Sequence, residues 1–266
     1  MHRQRWVSGL LIALGVILIV LFAPLWLFLL IILGLICLAQ KEYFALALPD
    51  LSALQKILGF LLSALVALSF YGGRSECFLG IISLLLFSLI ILTLREKGDL
   101  PPRLEKMHRM LLGLLYAPFF LSFFILLNKL NSGRLWILFA LAAVYGGDMA
   151  AFYVGRNWGK RKLAPLISPG KTIEGGIGAV GGSVGGALLF KFLFFSKVPL
   201  GPAVVIGLGV GVLGQMGDLF ESLLKRVAQV KDSGALIPGH GGLLDRIDSV
   251  LLSLPWVYFW AWALSY

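Results

Sequence analysis

The chain has 266 residues, 59% of them hydrophobic and 14% charged, with a mean hydropathy of +0.93. That composition excludes a water-soluble domain and matches an all-α polytopic membrane protein, because lipid gives the backbone no hydrogen-bond partners and long apolar runs must pair their own amides as helices. The net charge of +10 does not call for a nucleic-acid partner, since no loop is long enough for a polynucleotide-reading module; topology and anionic headgroups account for it.

Taken in chain order, hydropathy places nine spans at about 6–23, 24–40, 53–72, 76–94, 109–128, 134–154, 174–195, 199–222 and 248–266. Arg3 and Arg5 precede an apolar run, but no small-residue cleavage site leads into a polar mature domain, so the first helix is expected to be retained. Pro24 splits the first apolar block in two, because proline cannot continue a helix without losing a hydrogen bond. Residues 1–133 then hold about five membrane helices. Residues 134–266 hold about four, with two polar loops between them, and form the expected catalytic region.

Eighteen Lys and Arg fall on the face carrying the N-terminus and the loops near 41–56, 95–109, 156–171 and 225–246, against five (Arg74, Lys129, Arg134, Lys191 and Lys197) on the other. The positive-inside rule therefore puts the N-terminus in the cytoplasm of a multi-pass protein of the cell's inner membrane. Cys37 and Cys77 are too far apart in kind and place to suggest a disulfide or a metal cluster, and read as packing residues.

Carboxylates are scarce and unevenly placed. Glu42, Asp50, Glu96, Asp99 and Glu105 are mixed with cations and read as solvated interfacial residues, and Glu76 alone falls near the far face. The remaining seven sit in two segments, 148–176 and 217–249. Asp148 and Asp218 lie inside predicted spans near their ends, where an ionisable group faces a partner or a wet cavity; the plain alternative is an ion pair tying two helices. In GDLFESLLKR, Asp218, Glu221, Ser222 and Lys225 recur at helical spacing and form one stripe of the eighth helix. Asp245 and Asp248 form an i, i+3 pair opening the ninth, so two or three carboxylates can converge there. Beside Lys and Arg, such convergence suits Mg²⁺ together with a phosphorylated substrate.

The first segment adds Arg156, Lys160, Arg161, Lys162 and Lys171, with Ser168 and Thr172 before a helix whose N-terminus favours an anion. His240 reads as a substrate contact in a glycine-rich loop. Two tempting motifs fail. The GKT at 170–172 has Pro165 where a P-loop needs glycine, and GVGVLG at 209–214 lies inside a membrane helix. Like Gly178, Gly182 and Gly186, its glycines fit close helix packing, or a homodimer interface through the glycine-rich helices.

These residues carry a resemblance. Ser222-x-Leu224-Lys225-Arg226, Lys231-Asp232-x-Gly234 and Ile237-Pro238-x-His240-Gly241-Gly242-Leu243-x-Asp245-Arg246-Ile247-Asp248 resemble the signature of the phosphatidate cytidylyltransferases, also called CDP-diacylglycerol synthases. Asp148, Gly155-Arg156, Gly159-Lys160 and Ser168-Pro169-x-Lys171-Thr172-x-Glu174-Gly175 are similar to that family's preceding block, with Gly170 where lysine is common. The motifs cover about the last 120 residues; the first half matches only as hydrophobic helices. The resemblance implies conversion of CTP and phosphatidate to CDP-diacylglycerol and pyrophosphate at the cytoplasmic face, with divalent metal. It implies Asp218 and Asp245 as the principal Mg²⁺ ligands, with Asp248 as a third ligand or a partner supporting them and Asp148 supporting the metal or a second cation. Lys225, Arg226, Lys231 and Arg246 would hold phosphates, with Arg156, Ser168, Lys171, Thr172, Ser222, Asp232 and His240 as further substrate contacts. Among enzymes, a CDP-archaeol synthase or polyprenol kinase is the nearest alternative. An ion-coupled transporter should show midplane carboxylates and an internal repeat, and neither is visible.

Overall fold

The computed structural model describes residues 13–73, 75–234 and 241–265. Among the described residues nine helices follow in order: α1 Ala13–Phe22, α2 Leu25–Ala47, α3 Ala53–Gly72, α4 Ser75–Arg95, α5 Leu100–Lys129, α6 Gly133–Trp158, α7 Ile173–Phe194, α8 Leu200–Val227 and α9 Leu244–Ser265. Eight are long and apolar enough to cross a membrane, and α1 is the shorter described part of the span expected at 6–23. The protein is thus an all-α polytopic membrane protein. One two-stranded antiparallel ribbon interrupts it, β1 Lys162–Ala164 and β2 Ser168–Thr172, with Lys162 opposite Thr172 and Ala164 opposite Ser168.

Local signals explain the boundaries. Pro24 stands between α1 and α2 as expected. Ser52 caps α3 through a reciprocal pair, its hydroxyl accepting from Gln55 N at 3.3 Å while Gln55 Oε1 accepts from Ser52 N at 3.0 Å. Two helices outrun their hydropathy signal: α2 continues to Ala47 rather than ending near 40, and α5 starts at Leu100 rather than 109. In both, the added turns are held by tertiary contacts: Glu42 accepts from Leu243 N and Leu244 N, and Lys106 Nζ donates to Glu96 Oε1 at 2.6 Å. Within α5, residues Leu115–Phe119 form a π turn around Pro118, which has no N–H to give to the helical ladder.

The interior of the first half is aromatic: the ring centroid of Phe70 lies 5.4 Å from those of Phe78 and Phe123, joining α3, α4 and α5. In the second half, glycine sets the helix spacing. A Cβ at Gly182 would lie 2.5 Å from Gly146 O, so α6 and α7 approach backbone to backbone; one at Gly211 would lie 2.6 Å from Val180 Cα, packing α8 on α7. Gly178, Gly182 and Gly186, and the glycines of 209–214, thus serve packing within the chain. Cys37 and Cys77 are free and exposed on the apolar exterior, so their expected packing role does not hold.

Contacts between loops sort them into two faces. On one, Arg109 Nη1 donates to Ala47 O at 3.1 Å, and Leu243 N donates to Glu42 Oε1 at 2.8 Å, joining the ends of α2, the start of α5 and the α8–α9 connection. On the other, Arg134 donates to Leu21 O and Ala23 O, and Lys129 Nζ to Tyr71 O at 2.7 Å. Those two cations satisfy carbonyls at helix C-termini, where a positive charge is favoured.

Candidate active site

The site is assembled where α6, the β-ribbon, α8 and the first turn of α9 meet. Thr172 ends the ribbon and caps α7, its Oγ1 accepting from Gly175 N at 3.1 Å, so Lys171 is delivered from a fixed strand end. Its ammonium lies 2.7 Å from Asp218 Oδ2 on α8. Ser222, one turn further along α8, donates to Asp218 Oδ1 at 3.4 Å, as the helical stripe requires. Asp148 on α6 and Asp248 on α9 lie within electrostatic reach of Asp218 and of each other. Ser249 connects those two: its hydroxyl donates to Asp148 Oδ1 at 3.3 Å and its amide to Asp248 Oδ1 at 2.7 Å.

Beside this group opens a cleft of about 550 Å³, lined by Asp148, Arg156, Lys171, Thr172, Gln215 and Asp218 among others. Small residues make the room: Ala151, Gly155, Gly175 and Gly176 form part of its wall. Three aspartates against one close ammonium leave the cluster short of positive charge, while Lys171 and Arg156 offer it to an anion. Such a place favours a cation and a phosphate together over either alone.

A second group lies next to it, and the expected pairing of Asp245 with Asp248 is not met. Residues three apart on a helix point about 60° from one another, and here they serve different neighbours. Asp245 Oδ1 accepts from Lys225 Nζ at 2.6 Å, and its Oδ2 accepts from Ser233 N at 2.9 Å, Ser233 Oγ at 2.9 Å and Gly242 N at 2.8 Å. Lys225 also pairs with Glu221, which is fully buried. Both oxygens of Asp245 are therefore engaged, and Lys225 is held between two carboxylates.

Other expected contacts are placed as follows. Arg156 lies over the Phe152 ring at 6.0 Å and lines the cleft. Arg226 donates to Ile167 O at 3.0 Å, tying α8 to the turn of the ribbon. Arg161 Nε pairs with Glu174 Oε1 at 3.3 Å and Lys162 Nζ donates to Pro169 O at 2.8 Å, so both cations also brace the ribbon. Ser168 is half-buried in β2, whereas Lys231, Asp232 and Arg246 are exposed. His240 lies outside the described residues.

Sequence reasoning missed Glu42, Ser233 and Ser249. Glu42 in particular is no solvated interfacial carboxylate: it is buried and accepts from Leu243 N, Leu244 N and Ser233 Oγ. Ending the second span at 40 hid it. Had the helix been continued to 47, an acid within a membrane span would have drawn notice.

Comparison with known proteins gives a family match and several relatives. The model of the cytidylyltransferase family matches residues 3–264. A phosphatidate cytidylyltransferase of Bacillus subtilis (strain 168) is 34% identical over 223 residues, covering 84% of this chain and 81% of the relative. Proteins of the same name match more narrowly: in Staphylococcus saprophyticus at 41% identity over 51% of this chain and 52% of the relative, and in Brucella suis biovar 1 at 43% over 55% and 54%.

Proposed function

The chain belongs to the cytidylyltransferase family, and from that membership and the geometry of the cleft we propose that it transfers the cytidylyl group of CTP to phosphatidate, giving CDP-diacylglycerol and pyrophosphate. A phosphate oxygen of phosphatidate attacks the α-phosphorus of CTP. The bond from that phosphorus to the bridging oxygen breaks, and pyrophosphate leaves with the electron pair. The nucleophile is already an oxyanion, so no covalent enzyme intermediate and no strong base is needed. What the protein must do is hold two anions in line and neutralise their charge.

The observation that carries this reading is one cleft lined by both Lys171 and Arg156 and by Asp218 and Asp148, with Lys171 2.7 Å from Asp218. Lys171 and Arg156 would bind phosphate oxygens, and Thr172 and Ser222 would keep Lys171 and Asp218 in place. Lys231 and Arg246, exposed beside the site, would reach the triphosphate.

Among the described residues no three His, Cys, Asp or Glu side chains form a ready-made metal cage. The donors nonetheless suit Mg²⁺, which takes one or two carboxylates and keeps water and substrate phosphates in its other positions. Asp218, with Asp148 and Asp248, would hold it, whereas the engaged oxygens of Asp245 fit a framing role better. When bound, Mg²⁺ supplies neutralisation of phosphate charge.

The site would face the cytoplasm of the inner membrane. Supporting that side is the charge asymmetry: the face that carries the cleft holds most of the Lys and Arg, while Lys129 and Arg134 opposite are tied to helix ends.

The test is direct. Purified protein given CTP, phosphatidate and Mg²⁺ should release pyrophosphate and form a CDP-lipid in equal amounts, and EDTA should stop both. Absence of both products in folded protein would overturn the reading. An archaeal ether lipid or a polyprenol in place of phosphatidate should give little product. Sealed inside-out vesicles should use external CTP, and right-side-out vesicles should not.

A further inference from the structure

Glu42 belongs to α2, far in sequence from every motif of the site, yet it meets the segment between α8 and α9 at two places, Ser233 within it and the start of α9. Its Oε1 accepts from Leu243 N at 2.8 Å, and its Oε2 accepts from Leu244 N at 2.8 Å and from Ser233 Oγ at 3.0 Å. The two amides open α9, where N–H groups have no partner within the helix and a negative charge is favoured. Room for the carboxylate comes from glycine: a Cβ at Gly234 would lie 2.7 Å from Oε1, and one at Gly242 would lie 2.6 Å from Oε2.

That end of α9 already has an acceptor of its own in Asp245, which takes Gly242 N and Ser233 N. A second carboxylate supplied from a distant helix adds something different, namely a fixed placement of the α9 start relative to the helix bundle. Ser233 Oγ sits between the two acids, 3.0 Å from Glu42 and 2.9 Å from Asp245, with one proton to give. From Asp245 the contacts run on to Lys225 and Glu221 of α8. The chain of contacts therefore spans α2, α9 and α8, and ends on the helix that carries Asp218.

Resting on the cytidylyltransferase reading, we propose that Glu42 is a positioning residue: it ties Ser233 of the α8–α9 connection to the start of α9 so that the triphosphate-binding cations Lys231 and Arg246, together with Asp248, stand in register with Asp218. Glu42 touches no substrate. It acts through Leu243, Leu244 and Ser233.

The experiment measures steady-state kinetics of the full-length protein in detergent, with CTP varied at saturating phosphatidate. In Glu42→Gln an amide N–H₂ replaces one acceptor and faces a donor, so the clamp opens. The expected result is an apparent KM for CTP raised about tenfold or more, with kcat changed less than about threefold. Ser233→Ala, which removes the bridging hydroxyl and leaves the backbone donors, should shift KM in the same direction by less. Ser52→Ala, which weakens the cap of α3, should lower thermal stability and leave KM for CTP as it was. Wild-type KM in both Glu42→Gln and Ser233→Ala would overturn the proposal, as would losses confined to kcat that track melting temperature as in Ser52→Ala. If Glu42→Gln yields no folded protein, Ser233→Ala decides. These outcomes presuppose CDP-lipid formation by the wild-type protein; its absence would remove the functional reading itself and is seen separately.

Discussion

Lys171 Nζ lies 2.7 Å from Asp218 Oδ2, and this contact joins the β-ribbon to α8 in the lining of the cleft. Both side chains keep some exposure, 18% for Lys171 and 31% for Asp218. As a tie between elements such a pair is weak, contributing about 1 kcal/mol or less. Its greater effect is on charge facing the substrate. Lys171→Ala should therefore lower kcat/KM for CTP about a hundredfold while the melting temperature hardly moves. Lys171→Arg, with the charge kept but differently shaped, should fall between. Near-normal turnover in Lys171→Ala would take the residue out of the reaction.

Asp218 and Asp245 should separate in the same kind of experiment, because their surroundings differ. Asp245 accepts from Lys225, Ser233 and Gly242 and its side chain is 6% exposed. Asp245→Asn turns an N–H₂ toward donors and leaves the Lys225 ammonium with Glu221 alone, a loss on the order of 3 kcal/mol for a buried pair. Thermal unfolding in detergent should show a clear drop in stability beside the loss of activity. Asp218→Asn should abolish most activity at nearly unchanged stability. Equal destabilisation by the two would contradict the division between a framing acid and a substrate-facing one.

How far the sequence reaches can be judged from these same residues. The nine helices, the break at Pro24 and the packing role of GVGVLG follow from hydropathy, proline chemistry and glycine spacing, all local properties of the chain. The stripe of Asp218, Ser222 and Lys225 follows from helical periodicity, and the structure keeps it. Glu42 does not follow, because its partners are Leu243 and Leu244, about two hundred positions away, and local composition makes it look like a solvated loop acid. The parting of Asp245 from Asp248 was hidden for another reason. Spacing gives the angle between two side chains on a helix, but not which neighbour waits in each direction. The β-ribbon was equally obscure: a short run with Pro165, Pro169 and Gly170 carries no alternation to announce strands.

Gly182 and Gly181 offer a test of whether the small residues of α7 pack inside the chain. A Cβ at Gly182 would lie 2.5 Å from Gly146 O and also meet Ala150, whereas one at Gly181 meets nothing within 4 Å. Gly182→Ala should push α6 and α7 apart and destabilise the protein by roughly 1 to 3 kcal/mol. Gly181→Ala should be neutral or mildly stabilising, since alanine favours the helix. Differential scanning fluorimetry in detergent measures both. A shift in oligomeric state with Gly181→Leu but not with Gly181→Ala would mark the open face of α7 as a contact between copies.

Tyr116 makes the last prediction. It sits in the π turn of α5, is 2% exposed, and stacks edge-on against Phe220 of α8 with ring centroids 4.9 Å apart. Its ring therefore packs well, but its hydroxyl has no hydrogen-bond partner among the described residues. It also lies within electrostatic reach of Asp218, Glu221 and Asp248. A buried hydroxyl without a partner is unfavourable by about 1 to 3 kcal/mol, so Tyr116→Phe keeps the ring contacts and removes that penalty. The melting temperature should rise or stay level, and kcat/KM should remain within about twofold of wild type. A marked fall in activity at full stability would show instead that the hydroxyl works on the substrate side of the acidic cluster, and the π turn would then be the device that presents it there.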